Sequence, residues 1–224
     1  MELDAFRCGH HYIETLHYIP EFITKEQEGY FLNRLQDGTR LDWKEVCSRR
    51  VRVFGGHVTT KGLIVDPRGV PPYLRDLMDD INDKTGAFST GRANHCLVNS
   101  YEPGIGIFQH EDGPAYTPVV CILSLCSSAV LRFYPKTEDG PAPAPVASIF
   151  LEPRSLLLFR DAAYTNFFHG IDSALADLID ETVVNALPPG VTKGDTIPRG
   201  PGPRVSLTIR RVEQEIKGLT RLLS

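Results

Sequence analysis

The 224-residue sequence predicts an α+β fold, two helices buttressing an all-β core, and three observations point there. Thr24-Lys25-Glu26-Gln27 has the spacing of a helix-capping box, and Phe31, Leu32 and Leu35 follow as an apolar stripe. Leu74, Leu77, Met78 and Ile81 recur at i, i+3, i+4 and i+7 after Pro71-Pro72, the pattern of a second amphipathic helix. Beyond Asn94 the period shortens. Segments 95–101, 105–110, 118–125, 130–134, 148–151, 155–159 and 205–210 are rich in β-branched or aromatic residues and separated by Gly, Pro and Asp. About seven strands after two helices form one domain spanning 1–224. Segments 135–147 and 172–203, with their Pro and Gly, read as loops, the second as a long insertion.

Composition narrows the function. A net charge of -4 excludes a chain held to nucleic acid by overall charge alone. The apolar runs are too short to span a bilayer, and the first residues lack a basic stretch followed by an apolar run. Five cysteines without a CxxC pair fit a reducing compartment. The expectation is a soluble intracellular protein of the cytoplasm and/or nucleus, a monomer, with no membrane partner.

Three patterns carry chemistry. In His110-Glu111-Asp112, residues i and i+2 of an extended chain share a face, so an imidazole and a carboxylate can meet one ion. About half such a match is expected by chance in this composition, so the pair alone reads more readily as a solvated loop than as a ligand pair. His169, in Phe-Phe-His-Gly-Ile, is either a core histidine or a third ligand in a partly dry position. Two His and one carboxylate with open positions suit non-haem Fe(II). His10, His11, His17, His57 and His95 lack a carboxylate at ligand spacing and read as structural or surface. In Arg204-Val205-Ser206-Leu207-Thr208-Ile209-Arg210, polar and apolar residues alternate strictly. The polar face either meets water or, with the apolar face packed on a second layer, aims two Arg and two hydroxyls into a cavity suited to a dianion.

His-x-Asp, a distal His and then R-x₅-R, with Asn99-Ser100-Tyr101-Glu102-Pro103-Gly104 upstream, resembles the Fe(II)/2-oxoglutarate dioxygenases of the AlkB type. Residues 93–95, 110–114, 151–156 and 204–211 look most like the branch called AlkB homologue six. The resemblance implies a double-stranded β-helix, or jelly roll, with His110, Asp112 and His169 as iron ligands and catalytic centre. It implies Arg204 as the partner of the distal carboxylate of 2-oxoglutarate, with Arg210, Asn99, Tyr101, Ser206 and Thr208 completing that pocket. Fe(II), 2-oxoglutarate and O₂ are the implied cofactor and cosubstrates, with ascorbate as reductant in vitro.

The implied activity is oxidative demethylation of N-methylated bases in RNA or single-stranded DNA. Pro114 stands where DNA-repair members carry another Asp, which argues against ordinary repair of duplex DNA. Segment 38–75 has eight Lys/Arg against three acids and falls where the family places a substrate lid. Arg49, Arg50, Arg52 and Phe54 are its expected substrate contacts, although the same segment also reads as a solvated basic loop with Phe54 in the core. The alternatives are a protein hydroxylase or demethylase on the same scaffold, and a catalytically weak binding module.

Overall fold

The computed structural model describes residues 2–8, 13–36 and 43–217. His10, His11 and part of the basic segment, Arg40 included, lie outside the described residues. The N-terminal portion holds β1 (Leu16–Ile19), α1 (Lys25–Gln36), β2 (Lys44–Val46), β3 (Arg49–Phe54), β4 (Gly56–Thr59), β5 (Gly62–Val65) and α2 (Pro72–Thr85). Next come β6 (His95–Tyr101), β7 (Ile107–His110), β8 (Val119–Leu125), β9 (Ala129–Thr137), β10 (Gly140–Pro141), β11 (Ala147–Leu151) and β12 (Leu156–Arg160). The chain continues through α3 (Ala162–Thr165), β13 (Phe167–Ile171), β14 (Ala176–Leu178), β15 (Thr196–Pro198), β16 (Arg204–Arg210) and β17 (Glu215–Ile216).

Both expected helices form. The capping box closes reciprocally: the Thr24 amide donates to Gln27 Oε1 at 2.8 Å, and the Gln27 amide donates to Thr24 Oγ1 at 3.2 Å. α2 ends at Gly86, whose φ of 63° is the left-handed conformation that stops a helix.

Seven strands in the order β1-β12-β8-β16-β6-β3-β2 make one sheet, and β10-β9-β13-β7 with β11 on the free side of β9 make a second. Every pairing in these two sheets is antiparallel, and they face one another as a jelly roll. The alternation of each strand decides what fills the space. Cys121, Leu123 and Leu125 of β8, Leu156 and Leu158 of β12, and Val205, Leu207 and Ile209 of β16 pack against α1 and α2. Val120 and Ile122, Leu157 and Phe159 point the other way, onto Leu131, Phe133, Ile149 and Leu151 of the second sheet. The middle strands β12, β8 and β16 are therefore buried on both faces, which is why 155–159 reads as a continuous apolar run.

Several strands were not legible in advance. β2 and β3 form a hairpin whose two-residue turn, Cys47-Ser48, has positive φ at both positions, and β3 joins the large sheet beside β6. The 135–147 loop is shortened by β9 running to Thr137 and by β10. Segment 172–203, expected as loop, carries the β14–β15 ladder and packs Ile179 and Val183 on Val130 and Phe150.

One irregularity shapes the centre of the molecule. Across β13 and β7, His169 faces His110 and Ile171 faces Ile107, so Phe108 and Gln109 together oppose Gly170 alone. This is a β-bulge; it turns both Ile107 and His110 toward the interior and leaves Phe108 87% exposed. Gly170 permits it, because a Cβ there would stand 2.9 Å from the Ile107 carbonyl oxygen. Gly170→Ala must push the bulge outward and is expected to destabilise by about 1–3 kcal/mol. A urea-unfolding midpoint equal to wild type would contradict that role for Gly170.

Candidate active site

Between the two sheets lies a partly open cavity of about 170 Å³. Its polar lining comes from β16, β6 and the β7/β13 pair. Arg204, Ser206, Thr208 and Arg210 all project into it, while the intervening Val, Leu and Ile face the helices. The inward reading of that alternating strand therefore holds.

His110, Asp112 and His169 converge at one end of the cavity. Their ligand atoms all lie within 4.8 Å of one another, and no other such cluster occurs among the described residues. The two imidazoles meet across the ladder with centroids 4.4 Å apart and planes inclined at 53°. His110 Nδ1 lies 2.8 Å from the Phe108 carbonyl oxygen, which can only accept. In the neutral ring this contact places the proton on Nδ1 and leaves the Nε2 lone pair for an ion. His169 is buried against Phe133 and Phe159. Burial first, offset in part by Asp112, brings its pKa down to about 4, so the ring is neutral at physiological pH.

Asp112 lies beyond the end of β7. Its Oδ1 accepts from Arg210 Nη1 at 2.6 Å, and both side chains are buried. Burial alone would raise its pKa, but Arg210, then His169, outweigh burial and hold the carboxyl below its ordinary range. Oδ2 is buried with no hydrogen-bond partner and stands 4.0 Å from His169 Nε2. A buried anionic oxygen left in that condition is costly unless a cation meets it. Two imidazoles and one carboxylate, beside a cavity, fit Fe(II).

Arg204 lies six residues from Arg210 on β16. It is 6% exposed, donates from Nη2 to Ser124 Oγ at 3.0 Å, and lies 5.7 Å from the Tyr101 ring centroid. Its Nε has no partner, and no carboxylate of the described residues pairs with it. Arg210 lines the same cavity, and its guanidinium also grips Asp112 and lies over the Tyr116 ring at 4.2 Å. Asn99 Oδ1 accepts from Arg49 Nε at 3.1 Å, so Arg49 reaches the cavity from β3.

The other residues expected to contact substrate do not meet there. Arg52 and Phe54 occupy the opposite face of β3: Arg52 donates to the Leu35 carbonyl at the end of α1 and stacks on Phe54, which packs on the helix-side core. Arg50 lies on that same face, 3.7 Å from Glu102 and over Trp43. The missed residues are those behind the first layer. Ser124, fully buried in an otherwise apolar strand, was a visible anomaly. His95 and Tyr116, which back Arg210, carried no signal in spacing.

Residues 64–210 match the family model of the 2OG-Fe(II) oxygenase superfamily. This chain belongs to that superfamily. A protein named "Probable RNA/DNA demethylase ALKBH6" from Danio rerio is 36% identical over 213 residues, 91% of this chain and 88% of the relative. "Uncharacterized protein L905" of Acanthamoeba polyphaga mimivirus is 29% identical, covering 88% of this chain and 84% of its own. "tRNA (carboxymethyluridine(34)-5-O)-methyltransferase ALKBH8" of Macaca fascicularis is 28% identical over 88% of this chain but only 30% of its own length. Among solved structures, OsALKBH1 superposes with a TM-score of 0.54 at 15% identity over 88% of this chain and 98% of its own. A Pseudomonas putida prolyl-4-hydroxylase gives 0.52 at 14% identity, over 89% and 93%. The two structures share the fold. The superfamily implies Fe(II) and 2-oxoglutarate, and the donor set and the unpaired Arg204 fit both.

His95 gives the site a pH signature. Burial, then Arg210, brings its pKa down from 6.5 to about 3. Between those values the unfolded chain binds more protons, so this stabilisation is complete above about pH 6.5 and declines as pH falls toward 3. At pH 5 the loss from His95 is about 2 kcal/mol. The urea midpoint of metal-free protein is expected to drop from pH 7.5 to 5, and less steeply in His95→Gln. Equal slopes would exclude His95 as the titrating group.

Proposed function

We propose that the protein is a demethylase of N-methylated nucleobases in RNA or single-stranded DNA, using Fe(II), 2-oxoglutarate and O₂. The observation that carries the cosubstrate assignment is Arg204, a buried guanidinium without a carboxylate at the far end of the strand that anchors Asp112. A molecule with a carboxylate at each end supplies what both termini lack: a counter-ion for Arg204 and ligands for a metal beside Asp112.

In this reading His110, Asp112 and His169 hold the metal. Arg204 binds the distal carboxylate of 2-oxoglutarate, helped by Ser124. Tyr101, Asn99, Ser206 and Thr208 shape the cavity between. Arg210 fixes Asp112 Oδ1 and so directs Oδ2 at the ion. When bound, Fe(II) with 2-oxoglutarate and O₂ supplies oxidation of a substrate C–H bond, with succinate and CO₂ as products. For an N-methyl group the hydroxylated carbon leaves as formaldehyde, and ascorbate keeps the iron reduced in an assay. The protein's part is to orient the reactants and exclude water.

Two observations support nucleic acid as substrate. Relatives matched over most of this chain carry names that refer to RNA, DNA or tRNA. Arg49 enters the cavity from a basic hairpin and has no carboxylate partner among the described residues, so it can meet a phosphate. Residence in the cytoplasm or nucleus, as a monomer, completes the proposal; no helix among the described residues is long and apolar enough to cross a membrane.

Succinate release tests the chemistry. With Fe(II), ascorbate and 2-oxoglutarate, wild type is expected to release succinate, more of it with methylated single-stranded oligonucleotides, and His110→Ala none. Turnover indifferent to every oligonucleotide would remove the nucleic-acid reading and favour a protein substrate. No turnover from iron-loaded protein would favour a binding module.

Arg204→Met separates cosubstrate from metal. Truncating one partner of a buried charged pair costs about 2–5 kcal/mol, so the Kd for 2-oxoglutarate should rise at least roughly 30-fold. Affinity for Fe(II) alone should change less than about threefold. Unchanged 2-oxoglutarate binding would refute the assignment of Arg204.

A further inference from the structure

The three proposed ligands are not held alike. His110 and His169 stand opposite one another in the β7–β13 ladder. Asp112 lies two residues past the end of β7, and no backbone–backbone hydrogen bond among the described residues involves residues 111–114. Its backbone must be positioned by side chains.

Two side chains from other elements grip the residues on either side of it. The Tyr164 hydroxyl, on α3, donates to the Gly113 carbonyl at 2.6 Å. Lys136, near the end of β9, pairs with Glu111. Gly113 has φ of +88°, a left-handed conformation that favours glycine, and an added Cβ would meet open space. Tyr164 packs on the core between the sheets, and burial followed by the Asp112 charge raises its pKa, so the phenol keeps its proton to donate. The Glu111–Lys136 pair is half exposed and adds less.

We infer that Tyr164 is a positioning residue for the metal site: its hydroxyl fixes the Gly113 carbonyl and thereby the Asp112 carboxylate, with Lys136 on Glu111 as the lesser strut. The inference rests on the proposed role of Asp112 as a metal ligand. The hydroxyl touches neither the ion nor the substrate. Its effect is on how far Asp112 must be reorganised before it binds, the way outer partners of metal ligands commonly act.

The test is anaerobic calorimetric titration of the full chain with Fe(II), beside thermal unfolding of the metal-free protein. Tyr164→Phe keeps the ring and removes only the hydroxyl. It is expected to weaken Fe(II) binding roughly tenfold while leaving the metal-free Tm within a few degrees of wild type. Gly113→Ala, which disturbs the same carbonyl from the backbone side, is expected to weaken Fe(II) as well. Tyr164→Phe binding Fe(II) as tightly as wild type would overturn the inference, and so would weakening that merely tracks lost metal-free stability. Wild-type protein that takes up no Fe(II) would instead overturn the metal site on which the inference depends.

Discussion

Strand β16 is buried on both faces, and much of the molecule follows from that constraint. All seven of its residues are buried, yet four are polar and two are charged. The apolar face is satisfied in the ordinary way, by α1 and α2. The polar face cannot be satisfied by solvent, so the second sheet must leave a cavity in front of it rather than close down on it. Placing β16 between β8 and β6 brings Ser124 to Arg204 and sets Asn99 and Tyr101 alongside. Without the helices behind it, the strand would have no reason to turn its arginines inward.

The charges in the cavity then form an incomplete set. Arg210 is neutralised by Asp112, and Glu111 by Lys136. Arg204 and Arg49 are left without carboxylates, and Asp112 keeps one unpartnered oxygen. Buried guanidinium and buried carboxylate oxygen are both expensive when unpaired. A divalent cation and a small dianion would relieve both at once. The superfamily's metal cofactor and dicarboxylate cosubstrate would match that pair of demands.

What was legible in the sequence follows from what has a period. The helices were visible because a capping box and an i, i+3, i+4 stripe are local, and β6 could be bounded to the residue because Gly and Pro follow it. The inward row of β16 was visible because its alternation is strict. The β2–β3 hairpin was not, since its turn is Cys47-Ser48, two residues that do not advertise the left-handed conformation both adopt. The bulge at Phe108-Gln109 was equally silent, because nothing in Ile-Phe-Gln-His says that two residues will face one glycine. Ser124, Tyr116 and Tyr164 act on the site only through other residues, and that relation exists in three dimensions alone.

The same period-two rule divides the basic segment. Arg49 and Val51 share one face of β3 and Arg50, Arg52 and Phe54 the other, and only the first face looks into the cavity. Clustering basic residues in sequence treats the three arginines as one surface; a strand cannot present them so. The carbonyl of Leu35 and the ring of Phe54 hold Arg52, so its charge ties the hairpin to α1 instead of facing the cavity. Arg49 is the member of the cluster whose position couples the hairpin to the cavity, through Asn99.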